Sequence, residues 1–204
     1  MATSDMRGSQ PAFELESFLQ DELNEHRQVF EKTSRDLAAS FSDALVLLEG
    51  SVRGGGKLLL FGNGGSAADA QHIAAELVVR YKSDRPAIAA IALTTDTSTL
   101  TACGNDLGFE TIFARQIEAQ GRREDVAIGI STSGNSGNVI AGLAEARRRG
   151  LHTIGLTGGD GGRMRDVCDV PIVIPSVVTA RIQEMHILLG HMLCKALELR
   201  LGLV

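Results

Sequence analysis

What constrains this chain most is an order of segments that repeats along it: a short apolar run, a turn rich in Gly, Ser or Thr, then a helical stretch. The apolar runs are Lys57–Phe61, Ala87–Leu93, Asp125–Ile130, His152–Leu156 and Val170–Ile174. They are continuous rather than alternating, the pattern of strands buried on both faces, which requires helices above and below a parallel sheet. The intervening stretches supply them: helical spacing is legible from Ser66 to Tyr81, from Gly137 to Arg149 and from Thr179 to Leu201. The expected fold is α/β, a doubly wound five-stranded parallel sheet. Ligands of such sheets sit at the carboxyl ends of the strands. That rule places the turns at 62–66, 94–98, 131–137 and 157–162 on one rim.

Ahead of this alternation lies a different pattern. Residues 1–11 are polar with no periodicity and read as a flexible tail. Phe13, Leu15, Phe18, Leu19 and Leu23, then Leu37, Phe41, Ala44, Leu45 and Leu48, recur at helical spacing. The expectation is two extra N-terminal helices within 12–53, with a break near Thr33–Ser34 where Ser34 serves as an N-cap. The stop is expected at Gly50 and the Gly54–Gly56 run. The remaining 12–204 is then one domain with its N-terminal helices.

Several functions are disfavoured by the totals. A net charge of −5 lacks the basic footprint that nucleic-acid binding needs. No segment is long or apolar enough to span a membrane, and the first residues lack the layout of a signal peptide. Cys103, Cys168 and Cys194 form no CxxC pair and read as buried free thiols of a reducing cytoplasm.

Four stretches carry chemistry. Gly62-Asn-Gly-Gly-Ser66 opens a helix and offers backbone N–H groups to an anion, although such a turn also serves structure alone. It matches neither GxGxxG nor a Walker loop. Ser131-Thr-Ser-Gly-Asn-Ser136 puts four hydroxyls between strand and helix, suited to wrapping a phosphate or to capping the helix. His72 and Glu76 stand at i and i+4 on one helical face, a spacing that suits a metal, a general base or an ordinary surface pair. On the last helix, Gln183 and His191 lie about 80° apart, while His186 lies about 140° from His191. His186 is therefore expected to be a core histidine, with a role separate from His191.

Gly62–Glu76, Ser131–Ser136 and Arg181–His191 together resemble the SIS (sugar isomerase) family, in its phosphoheptose isomerase branch. Leu93–Ser98, Gly104–Asp106 and Leu156–Gly158 extend the resemblance, which runs from about residue 12 to the C-terminus. It implies a flavodoxin-like sheet and the ketose–aldose interconversion of sedoheptulose 7-phosphate and D-glycero-D-manno-heptose 7-phosphate, the first step toward ADP- or GDP-heptose. By residue, it implies Glu76 and His191 as the acid/base pair and Ser131, Thr132, Ser133 and Ser136 as the phosphate cradle. Asn63, Gly64, Gly65 and Ser66, with Asn105, Asp106 and Gln183, are implied as further substrate contacts. His72, Glu76, Gln183 and His191 match a zinc set found in some members, and the family forms homotetramers. A paralogue of the same fold, a regulator that binds the replication initiator DnaA, lacks the acid/base pair. This chain keeps both Glu76 and His191, which favours the enzyme.

Overall fold

A computed structural model describes residues 13–204, so the tail expected over 1–11 lies outside the described residues. The chain opens with α1 (Leu15–Arg53). Strand β1 (Leu58–Gly62) leads into α2 (Gly65–Val78), and β2 (Ala90–Ala92) follows. Helices α3 (Thr97–Asp106) and α4 (Ile112–Gln120) precede β3 (Val126–Ser131). The second half contains α5 (Gly137–Arg149), β4 (His152–Gly158), the short α6 (Met164–Val167), β5 (Val170–Ile174) and α7 (Thr179–Arg200).

All strand pairs are parallel and the order is β2-β1-β3-β4-β5. Successive residues of β1 point to opposite faces and both faces are covered. Leu58 and Leu60 join Ile73, Leu77, Met185, Leu189 and Leu193 of α2 and α7. Leu59 and Phe61 join Phe113, Ile117, Val139 and Leu143 of α4 and α5. Full burial of one such leucine is worth about 1.5–3 kcal/mol, so an apolar residue at every position of a strand is what a two-sided sheet demands.

Three expectations need correction. The N-terminal segment is one continuous helix, with no break at Thr33–Ser34. Thr33 is buried and turns its hydroxyl back onto Val29 O at 2.8 Å, while Ser34 donates to Glu31 O. Both hydroxyls are satisfied inside the helix, so neither caps a new one. The helix also runs through Gly50 and stops at Arg53, before Gly54 and the left-handed Gly55 (φ 78°). Finally, α3 and α4 lie where no helix was read, and the second strand is only three residues long.

The direction of winding reverses between β1 and β3, whose neighbouring ends pair Gly62 with Ile130. The turn after β1 and the hydroxyl loop after β3 therefore flank the switch-point crevice, where α/β sheets bind ligands.

Candidate active site

The hydroxyl loop is shaped by close contacts. Ser131 is buried at the end of β3, and its Oγ lies 2.8 Å from Ser136 Oγ. Ser133 Oγ accepts from Asn135 N at 3.1 Å, closing a tight turn around Gly134. Gly134 holds φ at 65°, and a side chain there would strike the Gly161 carbonyl. Thr132 and Ser133 face a cleft that they share with Gly158, Asp160, Ser176 and Thr179. Helix α5 begins at this loop, and Ser136 makes no side-chain cap to it, so the positive end of the helix dipole faces the hydroxyls. Hydroxyl donors and a helix N-terminus at one point suit a phosphate.

Across the switch point, Gly64 takes φ 54° and ψ −121°, a conformation that favours glycine, and starts α2. A methyl on Gly65 would collide with the Gln183 amide, so Gly65 lets α7 lay that side chain over the start of α2. Ser66 is buried beside Gly62. Asn63 exchanges two hydrogen bonds with Asn138, at 2.8 and 2.9 Å, and thereby ties this turn to the first turn of α5. Asn138 escaped the sequence reading; the one available clue was an amide two residues after the hydroxyl loop.

His72, Glu76 and His191 meet at the side of α2 that faces α7. The Nε2 atoms of His72 and His191 are 2.9 Å apart, and His72 Nε2 lies 3.3 Å from Glu76 Oε1. One donor atom from each of the three falls within 4.8 Å of the others. Glu76 Oε2 is buried with no hydrogen-bond partner among the described residues. Tyr81 stacks on the His191 ring, with centroids 5.4 Å apart. Two converging imidazole nitrogens beside an orphaned carboxylate oxygen are the donor chemistry of a zinc site, so the residues fit such an ion. Asp69 lies one turn before His72 with a buried, unpartnered Oδ2, and burial pushes its carboxyl above the usual range.

The remaining candidates separate. His186 is fully buried; its Nε2 donates to Thr157 O at 3.2 Å, and burial lowers its pKa to about 4. It is a neutral core histidine, in keeping with its angular distance from His191. Asn105 and Asp106 are exposed at the end of α3 and hydrogen-bond to each other, with no bond to the cradle or the His–Glu–His cluster.

Comparison with known proteins shows the family. The SIS domain model matches residues 23–158. A phosphoheptose isomerase from Paramagnetospirillum magneticum is 56% identical over 182 residues, covering 89% of this chain and 95% of that protein. Among solved structures, phosphoheptose isomerase from Neisseria gonorrhoeae matches with a TM-score of 0.86 at 44% identity, covering 91% of this chain and 99% of that one. The enzyme from Francisella tularensis gives 0.88 at 34% identity, covering 92% and 100%. By family model, sequence identity and overall fold, the chain belongs to the SIS-domain family, in its phosphoheptose isomerase branch.

Proposed function

We infer that this chain isomerises sedoheptulose 7-phosphate to D-glycero-D-manno-heptose 7-phosphate, supplying the first intermediate of nucleotide-heptose synthesis. The observation that carries the reading is the His72–Glu76–His191 cluster, set across the switch point from a hydroxyl cradle made for phosphate. Ser131, Thr132, Ser133 and Ser136 hold the phosphate, fixing the far end of the sugar so that its carbonyl end has one position. Asn63, Gly64, Gly65, Ser66 and Gln183 line the path between the two ends. Asn105 and Asp106 are exposed and reach substrate only in the assembled protein.

The chemistry is a proton transfer between neighbouring carbons. Glu76 takes the proton from C1 of the ketose, the C1–H electron pair forms the C1–C2 double bond, and the C2 carbonyl oxygen takes a proton from solvent water to give an enediol. His191, as the acid, then delivers its proton to C2 as the O1–H proton returns to that water and the C1 aldehyde forms. The proton held by Glu76 passes to His191 to reset the pair. The orphaned Oε2 leaves Glu76 a lone pair for this work. In the reverse direction the two residues exchange roles. His72, Glu76 and His191 would hold a zinc ion, which when bound polarises the carbonyl and stabilises negative charge on the enediolate oxygens. Gln183, whose amide lies over Gly65 at the start of α2, would have to turn toward them to serve as a fourth ligand.

This reading includes a cytoplasmic homotetramer with one domain per chain over residues 12–204. No helix among the described residues is long and apolar enough to cross a membrane. The test is to incubate purified protein with sedoheptulose 7-phosphate and follow the aldose product. Formation of the heptose phosphate supports the reading. A protein that is inert on heptose phosphates but binds the initiator DnaA would instead be the regulator.

A further inference from the structure

The loop between α2 and β2 contains an arginine that the proposed chemistry does not use. The side chain of Arg85 is fully buried, and so is that of Glu198 on α7, at 0% and 2% exposure. Arg85 Nε donates to Glu198 Oε1 at 2.8 Å. The same guanidinium donates to Glu76 O at 2.7 Å, to Leu77 O at 2.6 Å and to Pro86 O at 3.1 Å.

Two of those acceptors belong to the last turn of α2, whose carbonyls have few partners inside the helix and carry the negative end of its dipole. Glu76, the proposed base, sits in that turn, two residues before the helix ends. A helix end is where fraying starts. The other anchor, Glu198, stands seven residues after His191, about −20° around α7 and therefore on the same face. The chain of contacts closes on itself: Glu76 and His191 meet at the site, and the backbone of Glu76 is joined through Arg85 to Glu198, two turns along the helix that carries His191. Closer to the site, a methyl on Gly190 would overlap Ile73, so the two helices already touch beside His72 and His191. The close contact brings the helices together at Gly190, and Arg85 links the last turn of α2 to Glu198 further along α7.

We propose that Arg85, paired with Glu198, is a positioning residue for the isomerase: it clamps the last turn of α2 to α7 so that Glu76 and His72 face His191. The proposal rests on the reading of Glu76 and His191 as the acid/base pair. A buried ion pair is rarely more stabilising than apolar side chains of the same size, so its value here lies in geometry. Its fork of donors meets two carbonyls and a carboxylate at once, which no apolar side chain can imitate.

That difference gives the test. Arg85→Met alone would leave Glu198 buried without a partner and confuse positioning with unfolding. The double variant Arg85→Met, Glu198→Leu removes both charges and refills the volume, and Arg85→Lys keeps the charge but loses the fork. Thermal melting, kcat, KM and the imidazole NMR resonances of His72 and His191 are measured on both, beside the unmutated protein. The expected result is a kcat at least tenfold lower, a KM changed less than threefold because the cradle is on other elements, and displaced resonances for His72 and His191. The melting temperature of the double variant stays near that of the parent. Folded variants with parental kcat and unmoved resonances would overturn the proposal, and either variant suffices if the other fails to fold. Should the parent itself lack turnover, the isomerase reading falls, while the two resonances still report whether Arg85 holds the helices in place.

Discussion

Glu76 and His191 can be separated from the groups around them by what each could lose. Glu76→Gln keeps the length and one hydrogen-bonding oxygen but cannot accept a proton from carbon; His191→Gln removes the imidazole that would deliver a proton. General acid–base assistance is typically worth about 10²–10⁴-fold, so each variant should lower kcat at least about a hundredfold while substrate still binds. Metal content is measured alongside, since both residues belong to the proposed zinc set; two variants with near-parental kcat would show that other groups move the protons. At the opposite end, Ser133→Ala with Ser136→Ala should weaken sugar-phosphate binding by at least tenfold without altering the fold, as two donors to a charged group are lost. Calorimetric titration checks this, and an unchanged affinity would remove those hydroxyls from the phosphate. The sequence made part of the site legible because His72 and Glu76 share a helical face and the four hydroxyls fall within six residues. It could not show that His72 and His191, 119 positions apart, would bring their Nε2 atoms to 2.9 Å. Nor could it show that Asn63 would be paired with Asn138, or that Arg85 would reach Glu198. Those pairings depend on where the sheet sets the helices, and no local spacing encodes that.

Helix α7 carries three different tasks on three of its faces: Gln183 over the start of α2, His191 at the cluster, and His186 in the core against β4. The core position has a consequence for stability. Burial holds the pKa of His186 near 4, against an ordinary value of 6.5. The unfolded chain therefore binds the extra proton first, and the contribution of His186 to stability is complete above about pH 6.5 and is lost as pH falls toward 4. Between pH 7 and pH 5 that loss is about 2 kcal/mol. Urea unfolding at the two pH values should show it, and His186→Gln, which can still donate to Thr157 O, should remove that share of the difference. Asp69, whose carboxyl is shifted upward, acts in the opposite sense, but it is present in both proteins and cancels in the comparison. An identical pH dependence in parent and variant would show that His186 is not the group responsible. At this scale the five strands and three long helices were readable from apolar runs and periodicity. Helix α3 was not, because Thr97–Asp106 is dominated by Thr, Ser, Gly, Asn and Asp, with Leu100 and Ala102 among them, and buries only Cys103. The continuity of α1 was hidden by Thr33 and Ser34, which are cap residues by type but bond back within the helix.

The whole chain leaves one face without an explanation inside a single copy. Helix α1 has 39 residues and is therefore about 58 Å long, yet the buried residues along it are Val29, Thr33, Ala44, Leu48 and Ser51. Before Val29 it is tied to α7 by polar contacts: Arg181 reaches Glu22, and His26 meets Glu184 at 2.7 Å. Beyond those contacts, Leu15, Phe18, Leu19, Leu23 and Phe30 are 46–63% exposed. Leu15, Leu19, Leu23 and Phe30 fall within about 80° around the helix, a stripe rather than a scatter. A contiguous apolar face of this kind marks an association surface, and the N-terminal part of a helix this long needs packing to stay formed. Polar anchors set the direction of α1, and its apolar face is exposed in the single chain. We therefore expect a tetramer, about four times 21.6 kDa by light scattering. Leu19→Glu with Leu23→Glu places charges in the stripe, far in sequence from the cradle and the cluster, and should shift the protein toward dimer or monomer. Activity should fall with assembly if the exposed Asn105 and Asp106 serve a site completed by a neighbouring chain. A parent that runs as a clean monomer at micromolar concentration would sink the assembly, and a charged variant that remains tetrameric would move the interface off this stripe.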